Sequence, residues 1–387
     1  MRSIPISRLL AVASFLLFTV SVLTSADSVL FAPLGDGYGS TTTFQVVLGD
    51  LDGDGDLDAV FANQGTAGSR VLLNDGDGVF DYTTSKLSTQ AHGAALGDLD
   101  GDGDLDLLMT CSHYNNRPKP SVIYVNDGTG AFADSGQDLG DEHLSGNYVQ
   151  LIDFEGDGDL DAYIAYLEVP AFVFTGRLYL NDGNGVFTES GLELPHWTTF
   201  VDLDEDGDAD AFVQEDQGAY TVQLQYVAGR LTTTWTEKVS GITPNKSDAV
   251  FLDVDGDGDL DIIDTNGSWD KPGVTRYLQN LGVGRFEISM MDLPNLSTSW
   301  LLLEDFDGDG FPDLFFSSVN GADQLWLGLR DDAGQLSFAD SDLRLDGNDS
   351  RGAAAGDLDG DGDLDLFIPV YGIRGGPNIV WENVIGE

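Results

Sequence analysis

The chain is poor in basic residues. Its 387 residues hold 17 lysines and arginines against 67 aspartates and glutamates, a formal net charge of −50. A surface this negative repels phosphate backbones and anionic lipid heads, which excludes nucleic acid and anionic membranes as partners. Cysteine is nearly absent. With Cys111 alone, no intrachain disulfide can form, so a disulfide-stapled secreted fold is excluded. Long apolar runs are lacking after the first, and none of the later ones reaches the ~18 residues of a spanning helix. No stretch of useful length carries a 3.6-residue apolar period, which predicts that helices are almost absent.

The one long apolar run lies at the start. Arg2 and Arg8 precede the uncharged stretch Leu9 to Leu23, and Thr24-Ser25-Ala26 places small residues where a signal peptidase cuts. Residues 1–26 read as a signal peptide. The mature part, 27–387, would then lie outside the cytoplasm, in the periplasm, at the cell surface or beyond it, with no membrane insertion after cleavage.

What the chain has in abundance is one repeated nonapeptide. Asp50-Leu-Asp-Gly-Asp-Gly-Asp-Leu-Asp58 recurs in related form from Asp98, Asp153, Asp202, Asp253, Asp305 and Asp357, at intervals of about 50 residues. A short apolar or small-residue run precedes each copy and another follows it. A third apolar segment then leads into a turn, as in Val71-Leu-Leu-Asn-Asp-Gly-Asp-Gly78 and Leu178-Tyr-Leu-Asn-Asp-Gly-Asn-Gly185. Asn-Asp-Gly between apolar alternations is a hairpin signal, because Asn and Gly tolerate positive φ. Four short strands per repeat of this length is the pattern of a propeller blade. The expected fold is all-β: a seven-bladed β-propeller of four antiparallel strands per blade. The segment around Ser28 to Pro33 resembles an orphan fourth strand, and Ile379 to Val384 a third strand without a successor. Their pairing would close the ring and remove a sheet edge.

The nonapeptides carry the metal chemistry. Carboxylates at positions 1, 3, 5 and 9 offer the hard oxygens that calcium prefers, glycine at position 6 permits a tight wrap, and position 7 supplies a main-chain carbonyl. The candidate ligands are Asp50, Asp52, Asp54, Asp56 and Asp58 in the first loop and Asp98, Asp100, Asp102, Asp104 and Asp106 in the second. The third has Asp153, Glu155, Asp157, Asp159 and Asp161; the fourth has Asp202, Asp204, Asp206, Asp208 and Asp210. The fifth has Asp253, Asp255, Asp257, Asp259 and Asp261; the sixth has Asp305, Asp307, Asp309, Phe311 and Asp313. The seventh has Asp357, Asp359, Asp361, Asp363 and Asp365. Like charges ~4 Å apart cost roughly 4 kcal/mol at an effective dielectric of ~20, so crowding on this scale calls for a cation. Up to seven Ca²⁺ ions are expected. Helical calcium loops need a carboxylate at position 12, where this chain has Phe61, Met109, Ile164, Val213, Asp264, Phe316 and Ile368. The EF-hand reading therefore fails, and the loops join strands.

On these residues the chain resembles the FG-GAP/VCBS repeat family, whose propellers include the headpiece of integrin α subunits. The resemblance implies calcium in the loops joining strands one and two of each blade. Three loops depart from the pattern: Glu155 at position 3 of the third, Glu205 at position 4 of the fourth, and Phe311-Pro312 in the sixth. The third and fourth are expected to bind most weakly.

The remaining chemistry gathers in the loops assigned to the opposite face. All four histidines fall there, and the candidate ligand-binding residues are His92, His113, Tyr114, Arg117, His143, His196, Trp197, Trp269 and Arg374. Aromatics beside His and Arg suit a glycan or a protein surface. The expected function is a secreted or surface calcium-binding module for adhesion to extracellular glycan or protein ligands, expected to be a monomer and not catalytic. The competing reading is a calcium-dependent polysaccharide lyase or hydrolase acting through the His-bearing face. No hydrolase or metalloprotease motif accompanies the histidines, and no catalytic residue is assigned.

Overall fold

The computed structural model describes residues 31–384, except 40–41, 65–67, 89, 113–117, 204–208, 216–217, 228–229, 240–247, 266–271, 283–284, 346–348 and 373–375. The signal-peptide segment, His113, Tyr114, Arg117, Trp269, Arg374 and the fourth-loop residues Asp204, Asp206 and Asp208 lie outside the described residues. Among the described residues no helix is long and apolar enough to cross a membrane.

The chain is a β-propeller with four-stranded antiparallel blades. After β1 (Phe31–Tyr38) comes the first blade, β2 (Thr42–Gly49), β3 (Asp58–Gln64), β4 (Arg70–Asn74) and β5 (Phe80–Tyr82). The second is β6 (Ala91–Gly97), β7 (Asp106–Cys111), β8 (Ser121–Val125) and β9 (Ala133–Leu139); the third is β10 (Leu144–Ile152), β11 (Asp161–Glu168), β12 (Val173–Asn181) and β13 (Phe187–Leu194). The fourth is β14 (Trp197–Val201), β15 (Asp210–Glu215), β16 (Gly218–Val227) and β17 (Arg230–Val239); the fifth is β18 (Ala249–Leu252), β19 (Asp261–Thr265), β20 (Thr275–Asn280) and β21 (Phe286–Ser289). The sixth is β22 (Thr298–Glu304), β23 (Asp313–Ser318), β24 (Asp323–Arg330) and β25 (Leu336–Leu345), and the chain ends with β26 (Ala354–Gly356), β27 (Asp365–Ile368) and β28 (Asn378–Asn383). Each of these six blades is four consecutive strands in order. A further four-stranded sheet runs β1-β28-β27-β26, with Phe31 opposite Asn383 and Leu34 opposite Val380.

Burial explains the strand sequences. The second strand of a blade is covered on both faces, so β3, β7 and β23 are buried almost throughout and read as unbroken apolar runs rather than alternations. Outer strands alternate or are largely exposed, as β9 is. The cores lie between sheets. Val60 and Val71 of the first blade pack with Ala94, Leu107 and Met109 of the second. Val46, Phe61 and Phe80 pack with Leu358, Phe367 and Val380, which joins the first blade to the sheet holding β1.

Candidate functional site

Among the described residues, the Asp-rich loops join the first strand of a blade to the second and are wound on their own carboxylates. In the first loop, Oδ1 of Asp50 accepts the N–H of Gly53 at 2.8 Å and Oδ2 that of Gly55 at 3.2 Å. Asp54 Oδ1 accepts the N–H of Asp56 at 3.0 Å. Gly55 sits at φ +99°, a conformation costly for any residue with a Cβ, which is why position 6 is glycine. The same bonds recur in the second loop, where Asp98 accepts from Gly101 and Gly103.

Position 9 is the anchor. Asp58 is fully buried; its Oδ2 accepts the N–H of Leu51 at 2.9 Å and its Oδ1 the N–H of Asn74 at 2.8 Å. Asp106, Asp161, Asp261 and Asp365 repeat both bonds with their own Asn. In the sixth blade Gly328 stands in for the Asn, and its N–H reaches Asp313 at 2.7 Å. Burial, opposed by these two N–H donors, pushes the carboxyls of Asp58, Asp161, Asp261 and Asp365 up to about 6 and that of Asp313 up to about 7.

The loops bring carboxylates together. Ligand atoms of Asp50, Asp52 and Asp58 lie within 4.8 Å of one another, as do those of Asp98, Asp100 and Asp106, of Asp253, Asp255 and Asp261, and of Asp305, Asp307 and Asp313. In the last loop the group is Asp357, Asp359 and Asp361. Among the described residues, the third loop, with Glu155 at position 3, forms no such group. Position 5 stands outside the group in four of the five, its carboxylate turned to the loop backbone. Position 7 is displaced by the hairpin: the Gly76 Cα lies so close to Asp56 that an added Cβ would be 2.5 Å from Oδ2. Its side chain is held against the turn.

These clusters could hold metal ions, and their chemistry suits a hard divalent cation. All donors are carboxylate oxygens, and Asp52 Oδ1 is buried without a hydrogen-bond partner. Burial, then the neighbouring charge of Asp54, raises Asp52 above the ordinary carboxylate value; burial and Asp102 do the same to Asp100. A bound cation would relieve both effects.

About 20 Å away along the first strands, at ~3.3 Å per residue, lies the other end of each blade. Phe44, His92, Asn147, His196 and Arg351 stand six positions ahead of Asp50, Asp98, Asp153, Asp202 and Asp357. In β2, β6 and β10 the strand register skips this position, leaving Phe44, His92 and Asn147 on bulges out of the ladder. The bulged side chains meet across blades. The Phe44 and His92 rings are 3.9 Å apart, His92 Nδ1 is 3.2 Å from Asn147 Oδ1, and Asn147 Nδ2 is 3.3 Å from His196 Nε2. Trp197 packs on His196 at 4.1 Å. On the other side Phe44 meets Tyr371 at 4.3 Å, and the Arg351 guanidinium lies 4.5 Å from the Tyr371 ring.

Of the sequence-predicted ligand-face residues, the structure joins His92, His196 and Trp197. It places His143 apart, exposed in the turn before β10 with Nδ1 3.5 Å from Asp141. Phe44, Asn147 and Arg351 were missed. Counting back a fixed number from each first Asp would have found them, because the repeat puts one residue per blade there.

The FG-GAP-like repeat family matches residues 50–109, 202–263 and 305–368. Each match begins on the first Asp of a loop. A search of curated proteins gives no match. Among solved structures, BBS1N in complex with ARL6DN, soaked with lead, is similar with a TM-score of 0.54 at 10% identity, covering 93% of this chain and 97% of that one. A protein from Lactobacillus plantarum reaches 0.51 at 12% identity over 80% of this chain and 87% of that one. The exotype rhamnogalacturonan lyase YesX reaches 0.48 at 13% identity over 92% and 76%. At such identities the first two likenesses concern the fold alone.

Proposed function

We propose that this chain, which carries FG-GAP-like repeats on a four-stranded-blade propeller, is an extracellular binding and adhesion module stabilised by calcium. The observation that carries the reading is the recurrence of the position 1, 3 and 9 carboxylates, gathered within 4.8 Å in four separate loops. Asp50 and Asp52, with Asp58 behind them, would hold the ion in the first loop, and their counterparts would do so in the others. A carboxylate oxygen that accepts one N–H keeps a lone pair for a cation, so the anchoring role of Asp58 is compatible with ligation. Calcium supplies charge neutralisation where the chain would otherwise repel itself. Secretion, from the signal-like residues 1–26, places the loops where millimolar calcium is available.

One closed seven-bladed ring is part of this reading. The β1–β28 pairing and the core shared by Phe61 and Phe367 support it. Glycan or protein ligands are assigned to the face opposite the calcium loops. A second reading, polysaccharide lyase chemistry at that face, draws on the His92–Asn147–His196 contacts.

The test is a calcium titration followed by a glycan and protein ligand screen, with and without chelator. Calorimetric binding of several ions per chain and calcium-dependent ligand capture are expected. Absence of calcium binding would sink the metal reading; ligand silence in the loaded protein would sink the binding module. Release of an unsaturated uronate product from a polysaccharide would favour the lyase.

A further inference from the structure

We infer that the arc of bulged side chains is the binding surface for an uncharged saccharide. The inference rests on the binding-module reading and gives it a place and a ligand class.

Successive blades contribute one planar group each, so that phenyl, imidazole, amide and imidazole follow one another from Phe44 to His196 in direct contact. A pyranose ring has an apolar face of C–H groups and an edge of hydroxyls. It matches a row that combines aromatic rings with planar hydrogen-bonding groups. The row spans four blades, which gives room for more than one sugar unit.

At the end of the row, the tip between β11 and β12 presents Phe172 at 60% exposure, and the start of β12 presents Phe174 at 51%. The Phe174 ring lies 4.7 Å from that of His196, which is itself buried at 4% exposure. An exposed phenyl beside a buried polar group is a wall with a hydrogen-bonding floor. Two large apolar side chains standing in water cost hydration free energy that a ligand would recover.

Among the described residues of the arc, the ions are Arg351 and Asp349, and they neutralise each other through contacts of 2.7 and 3.3 Å. Arg351 is further engaged on the Tyr371 ring. The Asn147 amide can accept from one imidazole while donating to the other, an arrangement suited to two neutral histidines. The arc thus offers no net positive charge, in a chain of net charge −50. A uronate polymer would be repelled over most of the surface and, among the described residues of the arc, meet only a cation already paired with Asp349. A neutral sugar pays neither penalty.

The experiment uses the calcium-loaded chain, with binding of neutral oligosaccharides and of uronate oligosaccharides measured side by side by calorimetry and tryptophan fluorescence. Neutral sugars should bind, and Asn147→Ala and Phe174→Ala should each weaken them about tenfold, the equivalent of one good contact. Val186→Ala, on an exposed hairpin of the calcium-loop face, should leave the affinity unchanged. Phe174 is at an exposed tip, so its variant folds even if Asn147→Ala does not, and the calcium-dependent melt checks both. Neutral-sugar affinity unaltered by both variants would overturn the arc and leave the glycan reading intact. Preference for uronates, or capture of a protein ligand through Phe174 with no sugar response, would overturn the ligand class. Silence on every glycan would overturn the inference and the glycan half of the proposed function together.

Discussion

The side-chain amide of Asn74 donates to the main-chain carbonyl of Leu358 at 2.8 Å, although 284 positions separate the two in the chain. Asn126, Asn181 and Asn383 make the equivalent bond to Leu51, Leu99 and Phe306, each position 2 of the loop in the adjacent sheet. The hairpin Asn is therefore the tie between blades as well as a turn former. Its backbone N–H caps the buried Asp of its own loop, and its side chain reaches the neighbour's.

Asn126→Ala should lower stability by about 0.5–1.5 kcal/mol, because the Leu51 carbonyl loses its side-chain donor while keeping the N–H of Gly130. Chemical denaturation of the calcium-loaded chain would read this. A loss no larger than that of an exposed hairpin substitution such as Thr129→Ala would show that the tie contributes nothing.

Gly128→Ala should be worse than a usual glycine substitution. Gly128 is at φ +73°, and an added Cβ would come within 2.6 Å of Asp104 Oδ2. The expected result is a melting temperature lowered by several degrees together with weaker calcium binding, since the hairpin pushes on the loop. A lowered melt with unchanged calcium affinity would separate the two elements.

Calcium removal should lower the melting temperature by many degrees, and millimolar calcium should restore it. Within a loop, Asp52→Asn should remove about one ion from the calorimetric stoichiometry. Asp56→Asn should not, because that side chain is pressed against Gly76 and away from the cluster. Equal losses from both would refute the assignment of position 7 to a main-chain ligand.

Asp323 gives a pH dependence independent of the loops. Buried, it accepts the N–H of Ser318 at 2.7 Å and the hydroxyl of Ser350 at 2.8 Å, and burial pushes its carboxyl up to about 7 from 3.8. Between those values the folded chain keeps a proton that the unfolded chain has lost. This contribution makes stability fall as pH rises from about 4 to 7 and level off above. Asp323→Asn mimics the protonated form, so its advantage over the parent should grow across that range in saturating calcium. A constant difference would mean that Asp323 is not the titrating group.

The Asp-rich loops and hairpins were legible because each is specified within ten residues. Asp-x-Asp-Gly-Asp-Gly fixes its own geometry, as the Asp50 bonds to Gly53 and Gly55 show. The role of position 9 was only half legible: its spacing suggested a ligand, whereas its anchoring of Asn74 depends on a residue sixteen positions on. The arc was hardest to read. Phe44, His92, Asn147 and Arg351 share no chemistry, only a place in the repeat, and it takes bulges to turn the first three toward one another. His143 looked equivalent to His92 by composition, yet the turn at Asp141 carries it away.

The sheet β1-β28-β27-β26 also sets a timetable. Synthesis delivers Phe31 long before its partner Asn383, by roughly tens of seconds at ~5–20 residues per second. Throughout that interval β1 is an unpaired strand among other unfinished chains, the situation in which aggregation begins. Its sequence, Phe-Ala-Pro-Leu-Gly-Asp-Gly-Tyr, places a proline, two glycines and a charge within eight residues, all poor material for pairing with a stranger. The composition of β1 thus answers a hazard that exists only before the protein has folded.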